Sequence, residues 1–123
     1  MSATAKIEGN NLIFELHGID KVLAIKREIT VPLKHVVSVS TQRVAWKPFT
    51  GARVNLSTHL FPGLVKVGDY LTSDGMMFFE MHHPDKCVTV TLDDEKYRKV
   101  IFEVEDKQSV AKAINQAIRR TRK

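Results

Sequence analysis

LVKVGDYLTSDGMMFFEMHHPDKCVTVTLDDEKYRKVIFEV, residues 64–104, decides the fold. Four strand-like segments alternate with three turn signals, and the expected arrangement is a four-strand antiparallel meander. Ser73-Asp74-Gly75 ends the Leu64 to Thr72 segment, because Gly supplies the positive φ of a tight hairpin, and Met76-Met77-Phe78-Phe79-Glu80-Met81 follows. His82-His83-Pro84-Asp85-Lys86 makes the next reversal, since Pro84 presets φ for a turn and has no N–H to give a ladder. Cys87 to Leu92 alternates, with Val88, Val90 and Leu92 on one face and Thr89 and Thr91 on the other. Asp93-Asp94-Glu95 reads as a solvated turn. Tyr97 to Val104 is the last strand, with Val100, Phe102 and Val104 opposed to Ile101 and Glu103.

Downstream of this stretch an amphipathic helix is expected. Asp106 is placed to cap it by accepting a hydrogen bond from an early backbone N–H. Val110, Ala113, Ile114, Ala117 and Ile118 recur at three- and four-residue spacing and form one apolar stripe. Arg119 and Arg120 complement the negative end of the helix dipole.

Upstream the pattern is less regular. Lys6-Ile7-Glu8 and Asn11 to Leu16 form a hairpin around Gly9-Asn10, with Leu12, Phe14 and Leu16 inward and Ile13 and Glu15 opposite. Gly18 to Ala24 has the spacing of a short helical turn. Arg27 to Val31 and Leu33 to Gln42 are strand-like and are separated by a bend at Pro32. Arg43 to Pro62 has no clear periodicity and reads as an irregular loop, the first place to seek binding contacts.

At 123 residues the chain is expected to be a single domain, 1–123, with a short basic tail at 119–123. Such a length buries roughly two-thirds of the unfolded surface, enough for a core without staples or metal. The lone Cys87 excludes an intramolecular disulfide and fits a reducing compartment. No leader pattern opens the chain and no apolar run approaches the ~20 residues of a membrane-spanning helix, so a cytoplasmic location is the expectation. The net charge is +5, yet Arg119, Arg120, Arg122 and Lys123 supply four of those charges, leaving +1 (5 minus 4) for the remainder. The excess is a tail, which argues against nucleic acid as the partner.

Between Glu28 and Asp69 there is no acidic residue, while Lys34, His35, Arg43, Lys47, Arg53, His59 and Lys66 are interleaved with Trp46, Phe49 and Phe61. Arg43, Lys47 and Arg53 are therefore the candidate anion-binding residues of the acid-free region 29–68. Trp46, Phe49, Met76 and Phe78 are the candidate interface residues. Met adapts to varied surfaces, and a strand apolar on both faces needs a second cover, either local or from a partner.

Three other constellations are weaker. His82-His83 with Asp85 lacks a third ligand, and neighbouring residues on an extended chain point apart. Asp93-Asp94-Glu95 lacks the spaced oxygens and glycine of a calcium loop. Cys87 beside His82 or His83 has no orienting acid or oxyanion element, so no thiol enzyme is expected.

Pro32-Leu33 with Val36 and Val39, Pro62-Gly63, Val67-Gly68-Asp69-Tyr70, a Phe-rich strand, Tyr97 before a β-branched strand and Glu105-Asp106 opening the final helix together resemble bacterial pleckstrin-homology-like proteins of unknown function. The resemblance spans nearly the whole chain. It implies a mainly β fold, a bent antiparallel sheet or partly open barrel, capped by the carboxy-terminal helix. Phosphoinositide-binding relatives use basic residues around the first hairpin loop, whereas Gly9-Asn10-Asn11 has none and only Lys6 lies nearby. That lipid function is not implied.

The expected function is a non-catalytic interaction or oligomerisation module without cofactor or metal, whose partner is another protein or a second copy of itself. The alternative is binding of an anionic ligand, a lipid headgroup or nucleic acid, through the acid-free region 29–68.

Overall fold

The computed structural model describes residues 3–17, 28–44, 52–53, 66–72 and 75–121. Among the described residues it is mainly β, with two sheets and a carboxy-terminal helix, and the sheets do not close into a barrel. The first sheet holds β1 (Thr4–Glu8), β2 (Asn11–Glu15) and β3 (Glu28–Pro32), in that order and antiparallel. Gly9, at φ +60°, takes the first position of the two-residue turn, where a side chain would be strained, so Glu8 pairs with Asn11. Leu12 and Phe14 consequently face inward.

Pro32 ends β3, and a single 3₁₀ turn, Leu33–His35, carries the chain to the second sheet with Leu33 buried. The sheet order there is β4 (Val36–Ser40), β8 (Cys87–Leu92), β9 (Lys99–Glu103), β7 (Gly75–Met81), β6 (Lys66–Thr72) and the two-residue β5 (Ala52–Arg53). The helix α1 (Lys107–Thr121) follows. The expected turn at Gly18 to Ala24, and all of the 43–62 loop except Arg43, Val44 and Ala52–Arg53, lie outside the described residues.

All four strands expected in 64–104 form, but they are not a meander. β9 inserts between β7 and β8, pairing parallel with β7 and antiparallel with β8. The sheet is therefore not wholly antiparallel. Burial explains the order. In β7 the residues from Phe78 to Met81, and in β9 those from Val100 to Glu103, are buried on both faces, which suits central neighbours. β8 keeps Thr89 and Thr91 half exposed and lies one place further out.

To step over β9 the 82–86 link must span two strand spacings, ~10 Å, and five residues reach further than that. The end of β9 then holds the link in place. The Glu103 carboxylate, on a residue only 6% exposed, accepts hydrogen bonds from the backbone N–H of His82 (2.8 Å) and of His83. Val104 N–H donates to the Lys86 carbonyl at 3.1 Å, and Ala3 N–H donates to the Glu103 carbonyl at 2.8 Å, tying the start of the first sheet to the same point.

The main core lies between the sheets and under α1. Phe14 of β2 stacks on Phe102 of β9 with ring centroids 4.1 Å apart, and Phe78 packs edge-on against Tyr97. Ile114, Ala117 and Ile118 close this core from the helix. A second cluster of Tyr70, Met77, Phe79, Met81, Cys87 and Ile101 is buried on the opposite face of the larger sheet, so the chain itself covers both sides of β7.

Candidate functional site

The histidine, cysteine and acidic clusters are absorbed by the fold. Besides the two backbone bonds, the His83 ring Nδ1 lies 3.1 Å from Glu103 Oε2. The fully buried Glu80 accepts the Glu103 N–H through Oε1 at 3.2 Å. Cys87 Sγ donates to the His83 carbonyl at 3.4 Å. Burial first, then the negative charges of Glu103 and Glu80, push the Cys87 thiol up to about 12, so at neutral pH it is a protonated core group.

The acidic turn 93–95 serves as partner to a histidine. Asp94 takes a positive φ of 58°, which an Asp tolerates, and Glu95 Oε2 then lies 2.5 Å from His35 Nδ1, with Asp93 N–H on the His35 carbonyl at 2.9 Å. This fastens the 3₁₀ turn to the β8–β9 connection. A second tie is buried. Tyr97 Oη donates to Asp69 Oδ1 at 2.7 Å, while Lys96 Nζ reaches Asp69 Oδ2 at 3.5 Å and lies over the Tyr97 ring. Burial, then the hydrogen bond to Asp69, raises the Tyr97 phenol above its ordinary value. Among the described residues no group of three or more His, Cys, Asp or Glu side chains is placed to hold a metal ion.

Of the candidates named from sequence, Arg43, Arg53, Met76 and Phe78 fall among the described residues. Arg43 is exposed just beyond β4, Arg53 lies in β5, and Lys47, Trp46 and Phe49 are outside the described residues. Met76 is half buried against the main core. Phe78, expected as an interface residue, is fully buried within that core and offers no surface.

Two clefts flank α1 instead. One, about 430 Å³, lies between α1 and the end of β4 and is lined by Val39, Thr41, Gln108, Lys112, Asn115 and Arg119 among others. Gln108, Lys112, Asn115 and Arg119 fall at i, i+4, i+7 and i+11, one polar stripe of the helix. Gln108 Nε2 donates across this cleft to Thr41 Oγ1 at 3.5 Å.

The other cleft, about 380 Å³, lies between α1 and β1. Its walls are mostly apolar, with Ala5, Ile7 and Leu12 from the first sheet and Val110, Ala113 and Ile114 from the helix, and Lys6 and Ser109 complete the lining. The reason is a rotation of the helix relative to the expected stripe. Ala111, Ile114, Ala117 and Ile118 are the buried set, leaving Val110 half buried and Ala113 exposed at the margin. β1 is the outermost strand of its sheet, and its burial alternates so that Ala5 and Ile7 turn toward the helix while Thr4, Lys6 and Glu8 face out. On that outer face Lys6 Nζ lies 3.3 Å from both Glu8 and Glu15, whose carboxylates hold the ammonium above its ordinary value.

Comparison with protein-family models, curated proteins and solved structures returns no match, so the geometry alone carries the functional reading. Among the described residues no helix is long and apolar enough to cross a membrane.

Proposed function

We propose that this chain is a non-catalytic interaction module of pleckstrin-homology-like type that takes an extended protein segment along the outer edge of β1, over the β1–α1 cleft. The observation that carries this reading is the pairing of an edge strand with an apolar trough beside it. An edge strand offers main-chain donors and acceptors in register, and a neighbouring trough selects alternate apolar side chains of the added strand.

Selection from a phage-displayed peptide library tests it. The expected binders are segments with apolar residues at alternate positions, and they lose binding to Ala113→Arg, which fills the trough with a charge. Binders insensitive to Ala113→Arg, or no enrichment over a control domain, would remove the support.

A second reading has its own observation. The cleft between β4 and α1 presents Lys112 and Arg119 with no carboxylate among the described residues that line it, and Thr41, beyond β4, belongs to the acid-free region. A small anionic ligand is the matching chemistry. Inorganic pyrophosphate titrated at low salt should shift the resonances of Lys112 and Arg119, with the shifts collapsing as ionic strength rises. Unchanged resonances would end this reading.

A further inference from the structure

We infer that the segment docking on β1 is the β1 strand of a second copy of this chain, added antiparallel about a two-fold axis at Ile7. This rests on the reading of β1 and its cleft as the binding element, and it adds the identity of the partner.

The register follows from charge. In an antiparallel pair, directly opposed residues share a face, so two copies of β1 keep Ala5 and Ile7 on the helix side only when the paired numbers sum to an even value. Centring on Lys6 sets Lys6 against Lys6 of the partner, and centring on Glu8 sets two Glu8 carboxylates together, both repulsive. A pair centred on Ala5 opposes Lys6 to Thr4 and leaves Glu8 unused. Centring on Ile7 opposes Lys6 to Glu8 of the other copy twice, once on each side of the axis. Of these registers this one makes two opposite-charge pairs and no like-charge pair.

The same register serves the cleft. Ile7 meets Ile7 of the other copy on the helix side, above the margin that Val110 and Ala113 leave uncovered. Ala5 falls opposite Gly9, where no described residue lies within 4 Å of the place a Cβ would take, which leaves room for the second chain. The two three-stranded sheets become one six-stranded sheet. A two-fold arrangement of this kind uses the same patch on both copies and closes on itself. Three paired residues within each strand and one shared trough bury less than the ~1,200 Å² of a tight dimer, so association is weak, on the order of 10⁻⁴ M.

Sedimentation equilibrium from about 10 µM to 1 mM, a range that brackets that constant, tests the proposal. The wild-type mass should rise with concentration toward the dimer. Lys6→Glu alone and Glu8→Lys alone should each weaken association roughly 10- to 30-fold, because both cross-strand pairs turn repulsive. An equimolar mixture of the two variants should associate as well as wild type. In the mixed pair the carboxylate introduced at position 6 of one chain faces the ammonium introduced at position 8 of the other, and the unchanged Glu8 faces the unchanged Lys6. That rescue cannot come from a folding defect in either variant. A wild-type chain that stays monomeric at 1 mM, or a mixture that does not associate, would overturn the second copy as the partner. If library peptides still bind in an Ala113-dependent way, only the partner's identity falls; if they do not, the binding element falls with it.

Discussion

Replacing Glu103 by alanine should cost the fold about 2–4 kcal/mol, from the hydrogen bonds its carboxylate makes to the crossover. Two backbone donors, His82 and His83, and the His83 ring converge on this carboxylate, whose side chain is 7% exposed. Hydrogen bonds to a charged acceptor contribute about 1.5–3 kcal/mol each, and leaving a buried donor unmade costs a comparable amount. The exposed His83 can recruit water when the carboxylate is gone, which holds the total below the simple sum. Glu103→Gln keeps one oxygen for both backbone donors and loses the charge and the second oxygen beside the exposed His83 ring, so it should cost about 1 kcal/mol, less than alanine. The Glu103 N–H to Glu80 bond involves the main chain and persists in both variants. Urea unfolding followed by circular dichroism reads the difference directly, and with ~3–6 °C per kcal/mol the alanine variant should melt roughly 10 °C lower. An alanine variant within about 0.5 kcal/mol of wild type, or a glutamine variant as damaged as the alanine one, would mean that this carboxylate does not hold the crossover.

Tyr97→Phe should cost about 1–3 kcal/mol by removing the 2.7 Å bond to Asp69, while Lys96→Ala at the solvent-exposed end should cost under about 1; paired urea titrations separate them. Cys87 binds its proton more tightly folded, at about 12 against an ordinary 9.0, so stability is full below pH 9 and falls between about 9 and 12 by up to ~1.4 kcal/mol per unit; Cys87→Ala should flatten that slope in chemical denaturation. Native Cys87 should resist thiol-reactive dye at pH 8 and react on unfolding. Asp106 is held below its ordinary value by the Ser109 N–H and then the Ser109 hydroxyl, so its stabilisation is present above about pH 3.8 and lost as pH falls through the lower native value; Asp106→Ala should lower the melting temperature at neutral pH and weaken its acid dependence, whereas Asp106→Asn should keep the cap and lose only that dependence.

Much of the fold was legible in local chemistry. Gly9 and Gly75 mark their turns, Pro32 and Pro84 mark the bends, and the alternation in β8 and the periodicity in α1 place those elements closely. Strand order was not, because period-two alternation tells which face a residue takes but not which strand lies beside it. A signal was available: the uninterrupted apolar runs of Met76 to Phe79 and Val100 to Phe102 belong in neighbouring central strands, and the alternating Cys87 to Leu92 belongs outside them. Glu80 and Glu103 were hidden for a similar reason. A carboxylate on a strand reads as solvent-facing until tertiary pairing places a backbone donor over it, the crossover for Glu103 and the Glu103 N–H for Glu80. Val110 and Ala113 show the same limit on the helix, where an apolar stripe wider than its seat leaves a margin uncovered, and only packing reveals which margin. Phe78 and Met76 read as surface candidates because a strand apolar on both faces does not say what covers it.

Amide hydrogen exchange at β1 reads whether that edge is occupied. The amides of Thr4–Glu8 should exchange slowly at high protein concentration or with a selected peptide bound, and faster in dilute protein, while those of β3 and β4, at other sheet edges, should not change. Exchange at β1 that is the same under all these conditions, or protection gained at β4 instead, would contradict it.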